Sequence, residues 1–264
     1  MLQAQQIVTN SALLADLVRL TKDAGDAILE IYQSHDFGIE SKADASPVTA
    51  ADLAAHYFLM AGLKRLTPHI PVVSEEDANS LKIPHYNACY WLIDPLDGTK
   101  EFISKNGEFT VNLALIEANK PSFGLVGVPV ANTVYWGGDG LAAFKQVQDN
   151  AAETTAINCV AAQNPIRVLA SKSHLNKATK QLIDSLGPVT LIQAGSSLKF
   201  IRIAEGQADY YPRLAPTCEW DTAAAQAVLE GAGGSVKQAS GEAMLYGKQN
   251  ILNPHFIAQG KVWH

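Results

Sequence analysis

Cysteine is scarce in this chain and poorly placed for cross-linking. Cys89, Cys159 and Cys218 are the three in 264 residues, odd in number and far apart, so neither a disulfide framework nor a cysteine-based zinc or redox pair is expected. The seven histidines are scattered without a paired helical motif, which argues against the common histidine-zinc arrangements. Basic residues are outnumbered, 20 Lys and Arg against 26 Asp and Glu, and a net charge of −6 speaks against binding a nucleic acid polymer, whose affinity comes from phosphate neutralisation. No apolar run approaches the roughly 20 residues needed to span a bilayer, and the first residues lack a charged-then-apolar leader. The expectation is a cytoplasmic protein with three reduced thiols, long enough to bury a sizeable core as one large domain or two intimate halves.

What is present is concentrated in a few segments. Tyr90 to Phe102, YWLIDPLDGTKEF, drives an uncharged aromatic and β-branched run into two carboxylates and a hydroxyl. Tyr90 to Ile93 reads as a buried strand, with Asp94 at its C-terminal end. Pro95 fixes one backbone angle, Gly98 permits a conformation other residues resist, and Thr99 starts a helix whose free N–H groups favour an anion. The turn thus offers metal ligands and a phosphate seat together, although the same residues also make ordinary turns in which Asp caps backbone donors. Upstream, PVVSEED ends an apolar run in Glu75, Glu76 and Asp77, a pattern also found at helix starts and on solvated surfaces. SPVTAAD puts Thr49 and Asp52 at the opening of an amphipathic helix as a capping pair. Downstream, EWDTAAAQAVLEGAGG places Asp221 before a small-residue helix closed by Gly233 and Gly234, where its simplest role is the N-cap. Carboxylate groups without His or Cys partners suit a hard ion such as Mg²⁺.

The patterns along the chain suggest two halves. Helices are expected at Ser11 to Tyr32 and Ala50 to Leu66, before the strand into the DPLDGT turn, followed by an antiparallel meander over Phe109–Glu117, Ser122–Val130, Thr133–Gly137 and Leu141–Gln146. Lys145 to Asn164 carries no recognisable pattern and reads as a loose connection. Beyond it, strands at Arg167–Ser171, Val189–Gln193 and Ala208–Tyr211 alternate with helices at Lys177–Leu186 and Ser197–Ala204, as in α/β proteins. The expected division is 1–160 and 161–264, two halves of one catalytic unit.

Taken together, WLIDPLDGTKEFI, WDTAAAQAVLEGAGG, SEED and PVTAAD, in that arrangement, resemble the signatures of the magnesium-dependent, lithium-sensitive phosphatase family that includes inositol monophosphatases, fructose-1,6-bisphosphatases and 3′(2′),5′-bisphosphate nucleotidases. Within it, the string from Asp94 through NGEFTVNLALI, with GSSLKF, EGQAD and YPR, looks most like the bacterial bisphosphate nucleotidases of sulfate assimilation. The resemblance runs from about Asp23 to Pro254; Ala225 departs from it, standing where relatives commonly have glycine.

The resemblance implies an α+β / α/β layered αβαβα sandwich and two or three Mg²⁺ ions. Glu75, Asp94, Asp97, Asp221 and the Leu96 carbonyl match the family's metal ligands. Two ions roughly 4 Å apart can activate a water and stabilise the leaving oxygen of an in-line displacement. Thr99 matches the residue that orients the attacking water, with Asp52 accepting from its hydroxyl; Glu76 either supports the metal ligands or is a solvated carboxylate. The Gly98 and Thr99 amides would hold phosphate oxygens. His174, Ser196, Lys199 and Arg213 match positions that contact nucleotide; without the family pattern they read as a turn residue, a helix cap, a solvated cation and an exposed arginine.

The implied reaction removes the 3′-phosphate of adenosine 3′,5′-bisphosphate, with its sulfated form as a second candidate substrate. An inositol or sugar monophosphatase is the alternative enzyme, and a noncatalytic cation or phosphate sensor the alternative class, though Thr99 and the carboxylates are all retained. The expected partner is a small nucleotide bisphosphate; the chain would be a monomer or homodimer, with peripheral association at the inner membrane known among relatives.

Overall fold

The computed structural model describes residues 4–34, 37–41, 47–82, 88–147, 153–171 and 176–261. Helices α1 (Ala4–Thr9), α2 (Ser11–Tyr32) and α3 (Ala50–Leu66) come first, with the short antiparallel pair β1 (Glu40–Ser41) and β2 (Pro47–Val48) before α3. A seven-stranded sheet follows in the spatial order β3 (Val72–Ser74), β4 (Tyr90–Asp97), β5 (Thr110–Glu117), β6 (Lys120–Val128), β7 (Thr133–Gly138), β8 (Leu141–Val147) and β9 (Thr154–Ile157), with helix α4 (Thr99–Ile103) between β4 and β5. Only β3 and β4 run parallel in it; the rest is an antiparallel meander.

The remaining chain supplies β10 (Ile166–Ser171), α5 (Lys177–Ser185), β11 (Val189–Ala194), α6 (Leu198–Ala204), β12 (Tyr210–Arg213), α7 (Ala223–Gly231), β13 (Ser235–Gln238) and β14 (Phe256–Gln259). Its strands form a second sheet in the order β11, β10, β12, β14, β13, parallel across the first three and antiparallel thereafter.

The pleat of β4 sets the layering. Successive strand residues face opposite sides: Trp91 and Ile93 join Leu17, Ile28, Leu59 and Leu63 of α2 and α3 in one core, whereas Tyr90 and Leu92 join Phe200, Ile203, Val228 and Leu229 of α6 and α7 in another. Because both faces are covered, the strand reads as continuously apolar instead of alternating. The second core extends to Leu169, Tyr211, Phe256 and Ala258 of the second sheet, so α6 and α7 lie between the sheets. On the outer side of the second sheet, Ile183 of α5 packs on Ile166 and Val168. The resulting order is helix, sheet, helix, sheet, helix, the αβαβα sandwich expected.

Several local expectations need correction. The segment Lys145 to Asn164 is not wholly a loose connection, since Thr154–Ile157 pairs with β8 at the sheet's edge; three of its four residues are exposed, so it carries no apolar pattern. Strands β13 and β14 have four residues each and were not expected. The strand placed at Ala208 begins two residues later because Asp209 is committed to Arg167, donating from its amide to the Arg167 carbonyl at 2.9 Å. Ala225 is buried in the middle layer, where its methyl adds to the packing of α7.

The Arg167 guanidinium donates to both Asp209 carboxylate oxygens at 3.0 and 2.6 Å, and to the Gly206 carbonyl at 2.7 Å, while the Arg167 amide adds a further bond to Asp209 at 2.8 Å. Burial alone would push the Asp209 pKa up, but these bonds and the arginine charge outweigh it and hold the carboxyl below its ordinary value. Its stabilisation is therefore complete above the ordinary value of 3.8 and lost as pH falls through the lower folded value. Asp209→Ala leaves the guanidinium without its partner and should cost about 3 to 5 kcal/mol in urea unfolding at pH 7. A loss under about 1 kcal/mol, the range of an exposed pair, would contradict that role.

Candidate active site

The centre is made by an irregularity in β4. Asp94 pairs with Asn112 and Asp97 with Thr110 on β5, so the register slips by one residue between the two aspartates. In a regular strand residues three apart face opposite ways; the extra residue of this bulge puts both carboxylates on the face shared by Asn112 and Thr110. That is the face of Leu92, toward α6 and α7. Gly98 then turns the chain with φ 98° and ψ 45°, a left-handed conformation that glycine adopts without a Cβ clash, and Thr99 opens α4.

Glu75 follows β3, its amide donating to the Ile93 carbonyl at 3.2 Å, so the parallel pairing of β3 with β4 sets it beside Asp94. Asp221 arrives from the middle layer. It is not the N-cap of α7: that position is Thr222, and Asp221 closes a single 3₁₀ turn over Glu219–Asp221, accepting from the Cys218 amide at 2.7 Å. One carboxylate oxygen from each of Glu75, Asp94 and Asp221 lies within 4.8 Å of the others. Asp97 stands next to this group with one oxygen held by the Ser197 amide at 2.5 Å. Leu96 lies in the bulge, its amide donating to Asp94 at 3.1 Å.

The electrostatics follow from this crowding. Burial, and then the charges of Glu75, Asp97 and Asp221, raise the Asp94 pKa well above the ordinary range. Burial and then the charges of Asp97 and Glu75 do the same to Asp221. Asp97 is pushed up to about 6 by burial, moderated by Lys199 and the Ser197 amide. Such a cluster resists ionisation until a cation shares it.

Thr99 and Asp52 meet as expected. The Thr99 hydroxyl donates to Asp52 at 3.1 Å, and the other Asp52 oxygen accepts from the Thr49 amide and hydroxyl at 2.7 and 2.6 Å. Asp52 is thus both the capping-box residue of α3 and the partner of Thr99. Burial raises its pKa, with the Thr49 bonds opposing. Glu76 is half-buried, its amide donating to the Ser74 hydroxyl at 3.3 Å, and its charge also raises the Asp52 pKa.

Glu75, Asp97, Gly98, Thr99, Ser196, Lys199, Arg213 and Asp221 line one cleft of about 290 Å³. Lys199 is no solvated cation. It is 5% exposed, with its Nζ donating to the Ser196 carbonyl at 2.6 Å and standing 5.3 Å from the Tyr211 ring centroid. Burial pushes its pKa down to about 8 against the pull of Asp97. Ser196 is neither a helix cap nor on the Lys199 helix face, for α6 begins at Leu198 and Ser196 has a left-handed φ of 43°. Arg213 donates to the Pro216 carbonyl at 3.1 Å, while its buried Nε has no acceptor among the described residues. His174 lies outside the described residues.

Two supports escaped the sequence reading. Ser197 donates through its hydroxyl to Asn112 at 2.9 Å and through its amide to Asp97; the signal was Asn112, a polar residue inside an otherwise apolar strand. The second is His56, whose Nδ1 lies 2.8 Å from the hydroxyl of Ser74, the residue before Glu75. No sequence pattern singled it out.

The pattern of the inositol monophosphatase family matches residues 9–263. The chain belongs to the inositol monophosphatase family. Among relatives, the 3′(2′),5′-bisphosphate nucleotidase CysQ of Escherichia coli K12 is 44% identical over 246 residues, covering 92% of this chain and 98% of that protein. The CysQ nucleotidase of Buchnera aphidicola is 38% identical over 256 residues, covering 93% of each chain. The crystal structure of CysQ from Bacteroides thetaiotaomicron superposes with a TM-score of 0.80 at 38% identity, over 96% of this chain and 98% of that one. Inositol monophosphatase family members are metal-dependent phosphatases, typically using Mg²⁺, and the residues here fit such an ion. The converging donors are carboxylate oxygens, the set a hard cation prefers, and burial together with their mutual repulsion makes their charges costly without one. Among the described residues no helix is long and apolar enough to cross a membrane.

Proposed function

We propose that this chain is a Mg²⁺-dependent phosphatase that removes the 3′-phosphate of adenosine 3′,5′-bisphosphate, giving AMP and phosphate. The observation that carries the substrate choice is the pairing of two cations, Lys199 and Arg213, with the carboxylate cluster in one cleft, the buried Arg213 Nε still lacking an acceptor among the described residues. A second anionic group on the substrate gives that donor a partner. Relatives named as bisphosphate nucleotidases support the same reading, and a cytoplasmic location agrees with three cysteines outside any disulfide.

Glu75, Asp94, Asp97, Asp221 and the Leu96 carbonyl would hold two or three Mg²⁺ ions. Mg²⁺ held there supplies positive charge that acidifies an attacking water and stabilises the leaving oxygen. The Thr99 hydroxyl, pointed by its bond to Asp52, accepts a hydrogen bond from that water and orients it. Asp52 takes up proton density through Thr99, a task suited to a carboxylate whose pKa burial has raised. Glu76 strengthens this by raising the same pKa. The Gly98 and Thr99 amides hold the scissile phosphate, and Ser196, Lys199, Arg213 and His174 hold the rest of the nucleotide. In this scheme 1–160 and 161–264 act as one unit.

Phosphate release tests the reading, comparing adenosine 3′,5′-bisphosphate, its sulfated form, the 2′,5′ isomer and inositol 1-phosphate. Arg213→Ala should lower kcat/KM on the bisphosphate by about 10- to 150-fold, the value of a charge-assisted contact, and spare inositol 1-phosphate. Preference for inositol 1-phosphate by the unmodified protein, or equal losses on both substrates in Arg213→Ala, would sink the nucleotide assignment in favour of a polyol monophosphatase.

A further inference from the structure

The turn from Ala194 to Ser197, which brings Ser196 to the cleft, is held by charged side chains at its first and last peptide groups, on either side of the Gly195–Ser196 peptide. Lys199 Nζ donates to the carbonyls of Ala194 and Ser196 at 3.4 and 2.6 Å. The Ser197 amide donates to Asp97. The Gly195 amide donates to the Glu108 carboxylate at 2.8 Å. Between these bonds Ser196 adopts φ 43°, a conformation that a residue with a Cβ adopts rarely and that persists where its surroundings over-determine it.

Glu108 belongs to none of the groups that face the reacting phosphate, yet its segment is wedged between the two turns that do. A Cβ on Gly195 would lie 2.9 Å from the Glu108 carbonyl and 2.6 Å from Glu101 Cγ, so the recognition turn seats directly on this segment. A Cβ on Gly98 would meet the same Glu108 carbonyl at 3.2 Å and Ser196 Cβ at 3.3 Å. The metal-carrying turn and the recognition turn therefore share one backing. The second Glu108 oxygen lies 4.0 Å from Arg202 on α6, which directs the carboxylate along the helix that carries Lys199.

We propose that Glu108 is a positioning residue for substrate recognition: through the Gly195 amide it fixes the left-handed turn at Ser196, and with it the placement of Ser196 and Lys199 opposite the carboxylate cluster. The inference rests on the reading of this cleft as the substrate site. It separates two functions, since Asp97 keeps its bond from the Ser197 amide when Glu108 is removed, while the Gly195 end of the recognition turn loses its anchor. Binding of the nucleotide portion suffers and the chemical step does not.

The test compares Glu108→Ala with Glu108→Gln, whose amide oxygen still accepts from Gly195. In steady-state kinetics on adenosine 3′,5′-bisphosphate, Glu108→Ala should raise KM about tenfold or more, the size of a lost bond to a charged acceptor, and leave kcat within roughly twofold. Glu108→Gln should recover most of that loss. KM for inositol 1-phosphate, which offers no nucleotide portion, should be unaltered in both variants. An unchanged KM in Glu108→Ala overturns the proposal, as does a parallel fall in kcat on both substrates with a lowered Tm, the mark of a merely structural role. Failure of glutamine to rescue also overturns it, because the charge toward Arg202 would then be what matters. The substrate preference of the unmodified protein, measured first, judges the underlying reading separately. If that preference is for another phosphomonoester, a raised KM for that compound with glutamine rescue keeps the proposal, and a flat KM ends it.

Discussion

Asp221→Asn is expected to lower turnover by about 10³-fold or more at saturating Mg²⁺, the several kcal/mol that metal-ion charge stabilisation supplies, and yet to unfold later than the unmodified protein in metal-free buffer at pH 8. Both effects come from the same charge. Asp221 converges with Glu75 and Asp94, and burial and mutual repulsion raise the pKa values of Asp94 and Asp221. A carboxyl whose folded pKa is raised binds its proton more tightly folded than unfolded. It is therefore neutral in effect below its ordinary value and fully destabilising above its raised one. Without metal, the stability of the unmodified protein should decline as pH rises from 5 to 8, and Mg²⁺ should restore it by binding only the folded form. Asparagine removes one of the repelling charges and flattens that decline. Thermal unfolding at pH 5 and 8, with and without Mg²⁺, checks the stability arm, and phosphate release checks the other. Turnover near that of the unmodified protein would remove Asp221 from the site, and an unraised Tm at pH 8 without metal would show that the cluster carries no uncompensated charge.

Thr99→Ala should retain metal and substrate binding and lose about 10² to 10⁴ in kcat, the usual range for a positioned acid–base group. The Thr99 hydroxyl donates to Asp52, and Asp52 keeps both bonds from Thr49 in the variant. The carboxylate thus stays in place and only its link to the water disappears. An unchanged kcat with a raised KM would make Thr99 a binding residue instead.

The site was legible where its chemistry is local. YWLIDPLDGT announces strand, turn and carboxylates within a dozen positions, and the Thr49–Asp52 capping box forms as its spacing requires. What the sequence concealed depends on partners far along the chain. The slip of register that sets Asp94 and Asp97 on one face exists only against β5. Asp221 resembled an N-cap because capping residues and metal ligands draw on the same amino acid, and the 3₁₀ turn that separates the roles is not written in WDTAAA. Lys199 looked solvated because its burial comes from Tyr211 and the 194–197 turn packing over it. Of the strands that went unseen, β9 and β13 are short and lie at sheet edges, where exposure erases alternation, while β14 lies inside its sheet and is hidden by its length of four residues.

The placement of α7 in the middle layer has a consequence for synthesis. Glu75 and Asp94 leave the ribosome long before Asp221 and the α7 helix after it, which packs against β5, β6 and β7. The nascent seven-stranded sheet must therefore wait with one face bare and its acidic pocket open, and domains that emerge with apolar surface uncovered are the ones prone to aggregation. Covering that face and bringing Asp221 to Glu75 and Asp94 are a single late event, so the three carboxylates converge only once α7 has been delivered.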